Sequence, residues 1–404
     1  MDNLTHTVIG LVAGETLARV TRSRRRTSLL AIGMIGGNLP DGDLAVSYGG
    51  GKLGYLLQHR GYTHTIVGCI ALALLLYFVV ALIHRARRDP LTRNEHMMAA
   101  AFTVFAVLLH LGMDALNSYG VHPFWPFNDR WFYGDVLFIV EPAFWIAAAP
   151  LVFLQRTRGA RIGLGSAVAV AVALNVVLHA GQVTQWIAVA LVALGLVVIG
   201  RKAGPRVAAL VSAATAIGVT LMFGVSSLLA ARAVEASAAS RFAGESNLDE
   251  VLSPAPMQPL CWDVLSMRRT PGRYFVRQAN VALASDAGTA RCSRLQLGAA
   301  GTAPWTALDE RLPRDRRVLW RSALDVPVAA FAQHIRGDCR AEALMQFARV
   351  PYVGLWEGQW YVGDLRFDRE ADLGFAELLV NEPGQSCPRA VPWSAPRADL
   401  LERP

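Results

Sequence analysis

His110 and Asp114 stand four residues apart in HLGMDALNSYG. On a helix that spacing puts both side chains on one face, about a turn apart, which suits two ligands of one metal ion. A histidine–aspartate hydrogen bond that only joins two helices is the alternative reading of the pair alone. Three further motifs bring the same side-chain types: His6 in DNLTHTVIG, Asp41 and Asp43 in GNLPDGD, and His59 and His64 in QHRGYTH. Imidazole with carboxylate is the ligand set of Zn²⁺ and, less often, of Mn²⁺ or Fe²⁺. A catalytic zinc takes three protein ligands and keeps one position open. The candidates His6, Asp41, Asp43, His59, His64, His110 and Asp114 exceed one such site. Two or more ions bridged by an aspartate would use them. Arg60, between the two histidines of QHRGYTH, is expected to face an anionic substrate; a snorkelling or headgroup-binding arginine is an equal alternative.

The chemistry those residues could do is hydrolysis. No G-x-S-x-G elbow is present, and GGGKLG at 49–54 has neither the spacing nor the following Ser or Thr of a phosphate loop. Water activated by a metal is the economical nucleophile, attacking phosphorus or a carbonyl while the metals hold the developing charge. Asp43 or Glu141 is the expected general base.

Membrane helices must position these groups. The chain is 53% hydrophobic and only 17% charged, against about 25% charged in soluble domains. Runs long enough to span a bilayer are predicted at 65–84, 97–118, 136–154, 162–179, 185–200 and 207–231, after two shorter apolar segments at 4–18 and 27–38. Loops 19–26, 85–93, 156–161 and 201–206 hold fifteen basic residues, whereas the alternate loops hold only Lys52, Arg60 and Arg130. This bias places the arginine-rich loops in the cytoplasm. Loops 39–64 and 119–135, and everything after 231, then lie outside, and all seven candidate ligands point to that outer face. The net charge of +8 is accounted for by those loops, so no nucleic-acid partner is expected. A transport route would need polar positions through to the cytoplasm as well.

The motifs MDNLTHTVIGL, GNLPDGD, HRGYTHT, HLGMDALNSYGVHPFWPF and VLFIVEPAFW, in this order, resemble the YdjM-like bacterial inner-membrane proteins, described as metal-dependent hydrolases. The resemblance covers about residues 1–155. It extends distantly to the zinc-dependent phospholipase C and single-strand nuclease superfamily, helical enzymes with a cluster of zinc ions. It implies a phosphodiester-type hydrolase. Glu141 stands where the family has an aspartate before Pro, which leaves a ligand or base role open.

The expected fold class is mainly α: a polytopic helical bundle followed by a small β-rich domain. Residues 1–155 would be the hydrolase core, 156–231 additional spans, 232–257 a linker, and 258–404 the periplasmic β-rich domain. RYFVRQANVALAS and LWEGQWYVGDLRF alternate as strands do, and TPGR, SDAG and NEPG supply turns. Cys261, Cys292, Cys339 and Cys387 all fall in this domain, and an even count outside the cytoplasm suggests two disulfides. RLPRDRR at 311–317 reads as a solvated face. In the outer loop, His122 and Asp135 accompany Trp125, Phe127, Trp131 and Tyr133, an interfacial belt, with Asp135 a candidate further ligand. The expected function is a multi-pass inner-membrane hydrolase acting on a phosphodiester or phospholipid-like substrate, either a membrane lipid or a lipid-linked, amphipathic phosphate compound. The alternative is a non-enzymatic protein with a structural metal or polar cluster, whose external domain binds an envelope partner.

Overall fold

Glycines set how closely the first two helices approach. In the computed structural model, which describes residues 1–284, 286, 306–308, 316–367 and 373–401, α1 (Asn3–Val20) and α2 (Arg26–Gly36) form an antiparallel hairpin. A Cβ on Gly10 would lie 2.1 Å from the carbonyl oxygen of Gly33, so the two backbones touch there. The Asp2 carboxylate starts α1 by accepting from the amide of Thr5 at 2.9 Å, a side-chain N-cap. Short helices α3 (Leu44–Ser47) and α4 (Gly51–Gln58) lead to the HRGYTH loop.

Five helices are long and apolar enough to cross a membrane among the described residues: α5 (Ile66–Ala86), α6 (Arg93–Ala115), α8 (Arg158–Leu178), α9 (Val183–Lys202) and α10 (Pro205–Arg241). Thr65 caps α5 through the amide of Gly68, so the helix begins directly after His64. A reciprocal Thr92–Glu95 capping box starts α6.

The predicted span 136–154 is corrected. It holds only α7 (Ala143–Ala147) and a 3₁₀ turn, Ala149–Leu154. Pro142 and Pro150 explain the break, since each lacks an amide hydrogen and restricts its neighbour. Its irregular backbone is carried inside the bundle, where Ser212 of α10 donates to the Ala147 carbonyl at 2.6 Å and Arg26 donates to that of Leu154 at 3.0 Å. Burial inside protein is what permits such backbone at membrane depth. The arginine-rich loops gather at one end of the bundle: Arg24 and Arg25 share Glu95, and Arg19 and Arg26 share Glu15.

α10 runs unbroken to Arg241, and the β-domain begins at Ser246 rather than at 258. Its larger antiparallel sheet holds β1 (Ser246–Ala255), β2 (Gln258–Thr270), β3 (Arg273–Ala282), β4 (Thr306–Ala307) and β5 (Val318–Pro327), in the order β1-β2-β3-β5-β4. After α11 (Val328–Ile335) and α12 (Cys339–Leu344) comes a second sheet of β6 (Pro351–Trp356), β7 (Gln359–Asp364) and β8 (Glu377–Leu379). The strand-like RYFVRQANVA is β3, and TPGR is its turn from β2. Cys339 and Cys387 form a disulfide and Cys261 is disulfide-bonded as well. Cys292, most of SDAG and residues 311–315 of RLPRDRR lie outside the described residues.

Candidate metal centre

Three elements deliver the candidate ligand atoms to the end of the bundle opposite the arginine loops. Asp41 sits in a 3₁₀ turn, Pro40–Asp43, just after α2, and His64 ends another, Tyr62–His64, just before α5. His110 and Asp114 lie on the last turns of α6, and all four side chains are buried. His64 Nε2 is 3.0 Å from His110 Nε2, 3.2 Å from Asp114 Oδ2 and 3.4 Å from Asp41 Oδ1. His110 Nε2 is 3.5 Å from Asp114 Oδ2 and 3.6 Å from Asp41 Oδ1. A tetrahedral zinc with ligands at about 2.0–2.1 Å has ligand–ligand edges of about 3.3–3.4 Å. The side chains are thus already spaced to enclose one ion.

Hydrogen bonding on the far side of each ring makes a cation fit. His110 Nδ1 faces the carbonyl oxygen of Gly37 at 2.8 Å, an acceptor only, so that nitrogen carries the proton. His64 Nδ1 lies 3.0 Å from the Thr63 hydroxyl, which itself donates to Asp43 Oδ2 and so accepts from the ring. Both Nε2 atoms face each other and two carboxylate oxygens. Asp114 Oδ2 is buried without a hydrogen-bond partner. Together these four side chains form a group that could hold a metal ion.

A second group, Asp41, Asp43 and His59, shares Asp41 with the first. His59 Nδ1 meets Asp43 Oδ1 at 3.0 Å, and Asp43 Oδ2 also accepts from the amide of Arg60 at 3.0 Å. Burial would raise the Asp41 carboxyl, but its contacts with His64 and His110 outweigh this and bring it down to about 2. The Asp43 carboxyl is likewise held below its usual range, because its hydrogen bonds to His59 and His64 overcome burial. Burial pulls His59 below its ordinary value against the opposing pull of Asp43. Asp41, Asp43 and His59 are therefore in their deprotonated forms at neutral pH.

His6 stacks on His110 with ring centres 3.9 Å apart and reaches Asp114 Oδ1 at 3.2 Å, adjoining the four-atom set without entering it. The Met1 amine also donates to Asp114 Oδ1. Arg60 is turned inward and buried: it pairs with Asp114 at 3.0 Å and Asn117 at 2.9 Å, over the Tyr119 ring. The expected substrate-facing arginine is thus engaged with a candidate ligand, although its Nε is unpartnered. Glu141 does not join the cluster; its carboxylate accepts from the amides of Ala143 and Met257, tying α7 to the β1–β2 turn. Asp135 pairs with Arg349 of the β-domain at 2.8 Å, which removes it as a ligand candidate.

Sequence reasoning missed Asn3 and Asn38, which form a polar rim at Asp41, and Asn117, which orients Arg60. Asn117 follows Asp114 by three residues, a helical spacing that could have flagged it. Nothing in the pattern pointed to Arg366 or Trp393 of the β-domain. Arg366 donates to the carbonyls of Ser118 and Tyr119, and Trp393 stacks on His122.

Residues 1–183 match the family described as YdjM inner membrane protein. Over 135 residues the chain is 27% identical to the uncharacterized protein YfhP of Bacillus subtilis (strain 168), a stretch covering 32% of this chain and 39% of that relative. The chain thus spans well under half the length of that curated relative. No solved structure matches. With five helices suited to crossing a membrane, this is a multi-pass membrane protein, and the part of it that builds the candidate cluster lies within residues 1–183, which are similar to the YdjM inner membrane protein family.

Proposed function

We propose that this protein is a membrane-embedded, metal-dependent hydrolase that cleaves a phosphodiester or phospholipid-like substrate at the outer face of the inner membrane. The observation that carries the reading is the convergence of His64, His110, Asp41 and Asp114 at tetrahedral spacing, with Asp41 shared by a second, more open group. Zn²⁺ suits the donor set best, with Mn²⁺ or Fe²⁺ as alternatives. A divalent ion bound there supplies a lowered pKa to water and an electrophilic clamp on phosphoryl oxygen.

The residues divide that work. His64, His110, Asp41 and Asp114 hold the inner ion. His59 and Asp43 hold the more open position beside Asp41, where Asp43 is half-buried and a substrate oxygen can approach. With its carboxyl held low by its hydrogen bonds to His59 and His64, Asp43 suits orienting those two rings better than taking a proton. Arg60 balances the charge of Asp114. The positive-inside bias supports placing the cluster and the β-domain on the periplasmic side, where a lipid or lipid-linked phosphate would meet the site.

A second reading has its own observation. Four protein ligands around one position, all buried, is the arrangement of a structural zinc, which would brace α2, α5 and α6 without chemistry. Elemental analysis of detergent-purified protein, with a hydrolysis screen over phospholipids and phosphodiesters, separates the two. The hydrolase reading expects stoichiometric transition metal and turnover that Asp114→Asn abolishes. Metal without turnover of any substrate supports the structural role, and a folded protein with no metal refutes both.

A further inference from the structure

Two apolar grooves flank α1. One, of 590 Å³ between α1, α6 and α10, includes the apolar side chains of Met113 and Phe144. The other, of 550 Å³, lies between the α1–α2 hairpin and α8. Both volumes fall within the usual range of about 300–1,000 Å³ for ligand sites, but among the described residues only the second is joined to the candidate metal cluster by polar side chains. At its upper end Thr7 accepts from Asn38 at 2.9 Å, Asn38 accepts from Asn3 at 3.3 Å, and Asn3 donates to Asp41 at 2.9 Å. Asn3 is exposed and Asn38 half-buried, so this ladder runs along an open rim rather than through the core.

We propose that the groove between the α1–α2 hairpin and α8 seats one fatty acyl chain of a membrane glycerophospholipid, and that its phosphate headgroup lies over Asn3 and Asn38 beside Asp41. Leu11 and Leu30 form an apolar floor. The outer wall is α8, one of the membrane-crossing helices, so hydrocarbon is what the slot meets from the side. Ala31, Ala160 and Gly163 line it with small side chains, which leave room for an unbranched chain. Arg26, Gln155 and Arg156 close the far end, giving the apolar stretch a polar boundary at each terminus. The proposal deepens the hydrolase reading by naming the substrate class, and it rests on that reading only for the fate of the headgroup.

The test is photolabelling of the full chain in phosphatidylethanolamine–phosphatidylglycerol vesicles containing phosphatidylglycerol with a diazirine in its acyl chain, with adducts mapped by mass spectrometry. Adducts are expected on Leu4, Thr7 and Met34. Ala31→Trp should lower them at least about tenfold, a loss of about 1.4 kcal/mol of binding, and leave adducts in the α1–α6–α10 groove unchanged. Should Ala31→Trp fail to fold, Gly163→Leu fills the slot from α8, where a Cβ meets open space. Adducts spread evenly over α5 and α9, or indifferent to both variants, would overturn the proposal. Labelling needs no turnover. Focused adducts without hydrolysis of the same lipid by metal-loaded protein would therefore refute the hydrolase reading alone, and scattered adducts with hydrolysis would refute the seat alone.

Discussion

Trp393 of the β-domain lies directly over Gly61 of the HRGYTH loop, so close that a Cβ at Gly61 would come within 2.7 Å of its ring. The same indole stacks on His122, with ring centres 4.4 Å apart. The C-terminal domain, which lies outside the family match, therefore covers the loop that presents His59 and His64.

That contact makes Gly61→Ala informative. The added methyl must displace Trp393 and also meets the Gln58 carbonyl at 2.9 Å. Overpacking of this kind costs about 1–3 kcal/mol. Thermal unfolding should show that loss, and pairing the change with Trp393→Leu should recover part of it. A variant as stable as wild type would mean the indole does not hold the loop.

Asp43→Asn should weaken metal binding without unfolding the protein. The carboxylate orients His59, His64, the Arg60 amide and Thr63. Loss of such supporting partners typically costs about 10–100-fold in affinity. Titration with Zn²⁺ against a competing chelator measures this directly; unchanged affinity would remove Asp43 from the site.

Glu141→Gln should leave metal stoichiometry at the wild-type value. The side chain faces the Met257 and Ala143 amides, and an amide oxygen can still accept from them. Elemental analysis beside Asp43→Asn gives the contrast, and loss of metal from the glutamine variant would place Glu141 in the cluster after all.

His122 predicts a pH dependence. Burial drives its pKa down to about 3, against a backbone contact with Arg60 that raises it. The unfolded chain binds a proton below about 6.5 that the folded chain refuses, so this contribution to stability is complete above that pH. It is lost progressively as pH falls from about 6.5 to 3, by up to ~1.4 kcal/mol per pH unit. Chemical unfolding from pH 7.5 to 5 should show a shallower slope in His122→Phe, and equal slopes would contradict the neutral buried ring.

The sequence by itself determined the membrane character, the gathering of arginine loops at one end and a set of seven candidate ligands that contains the four residues the structure clusters. Hydrophobic run length, loop charge and the His110–Asp114 spacing are local properties, readable along the chain without knowing what packs on what. The β-strand signal of RYFVRQANVALAS was local in the same way. The break in 136–154 was also present in the string, in Pro142 and Pro150, but apolar composition concealed it. Only the tertiary structure decided that Asp41 serves two groups, that Arg60 turns inward to Asp114, that Glu141 reaches the β1–β2 turn, and that Trp393 caps the ligand loop. Each of these joins residues tens to hundreds of positions apart. Their pairing is set by the backbone contact of Gly10 with Gly33 and by docking of the β-domain on the outer loops, and neither leaves a periodic trace in the sequence.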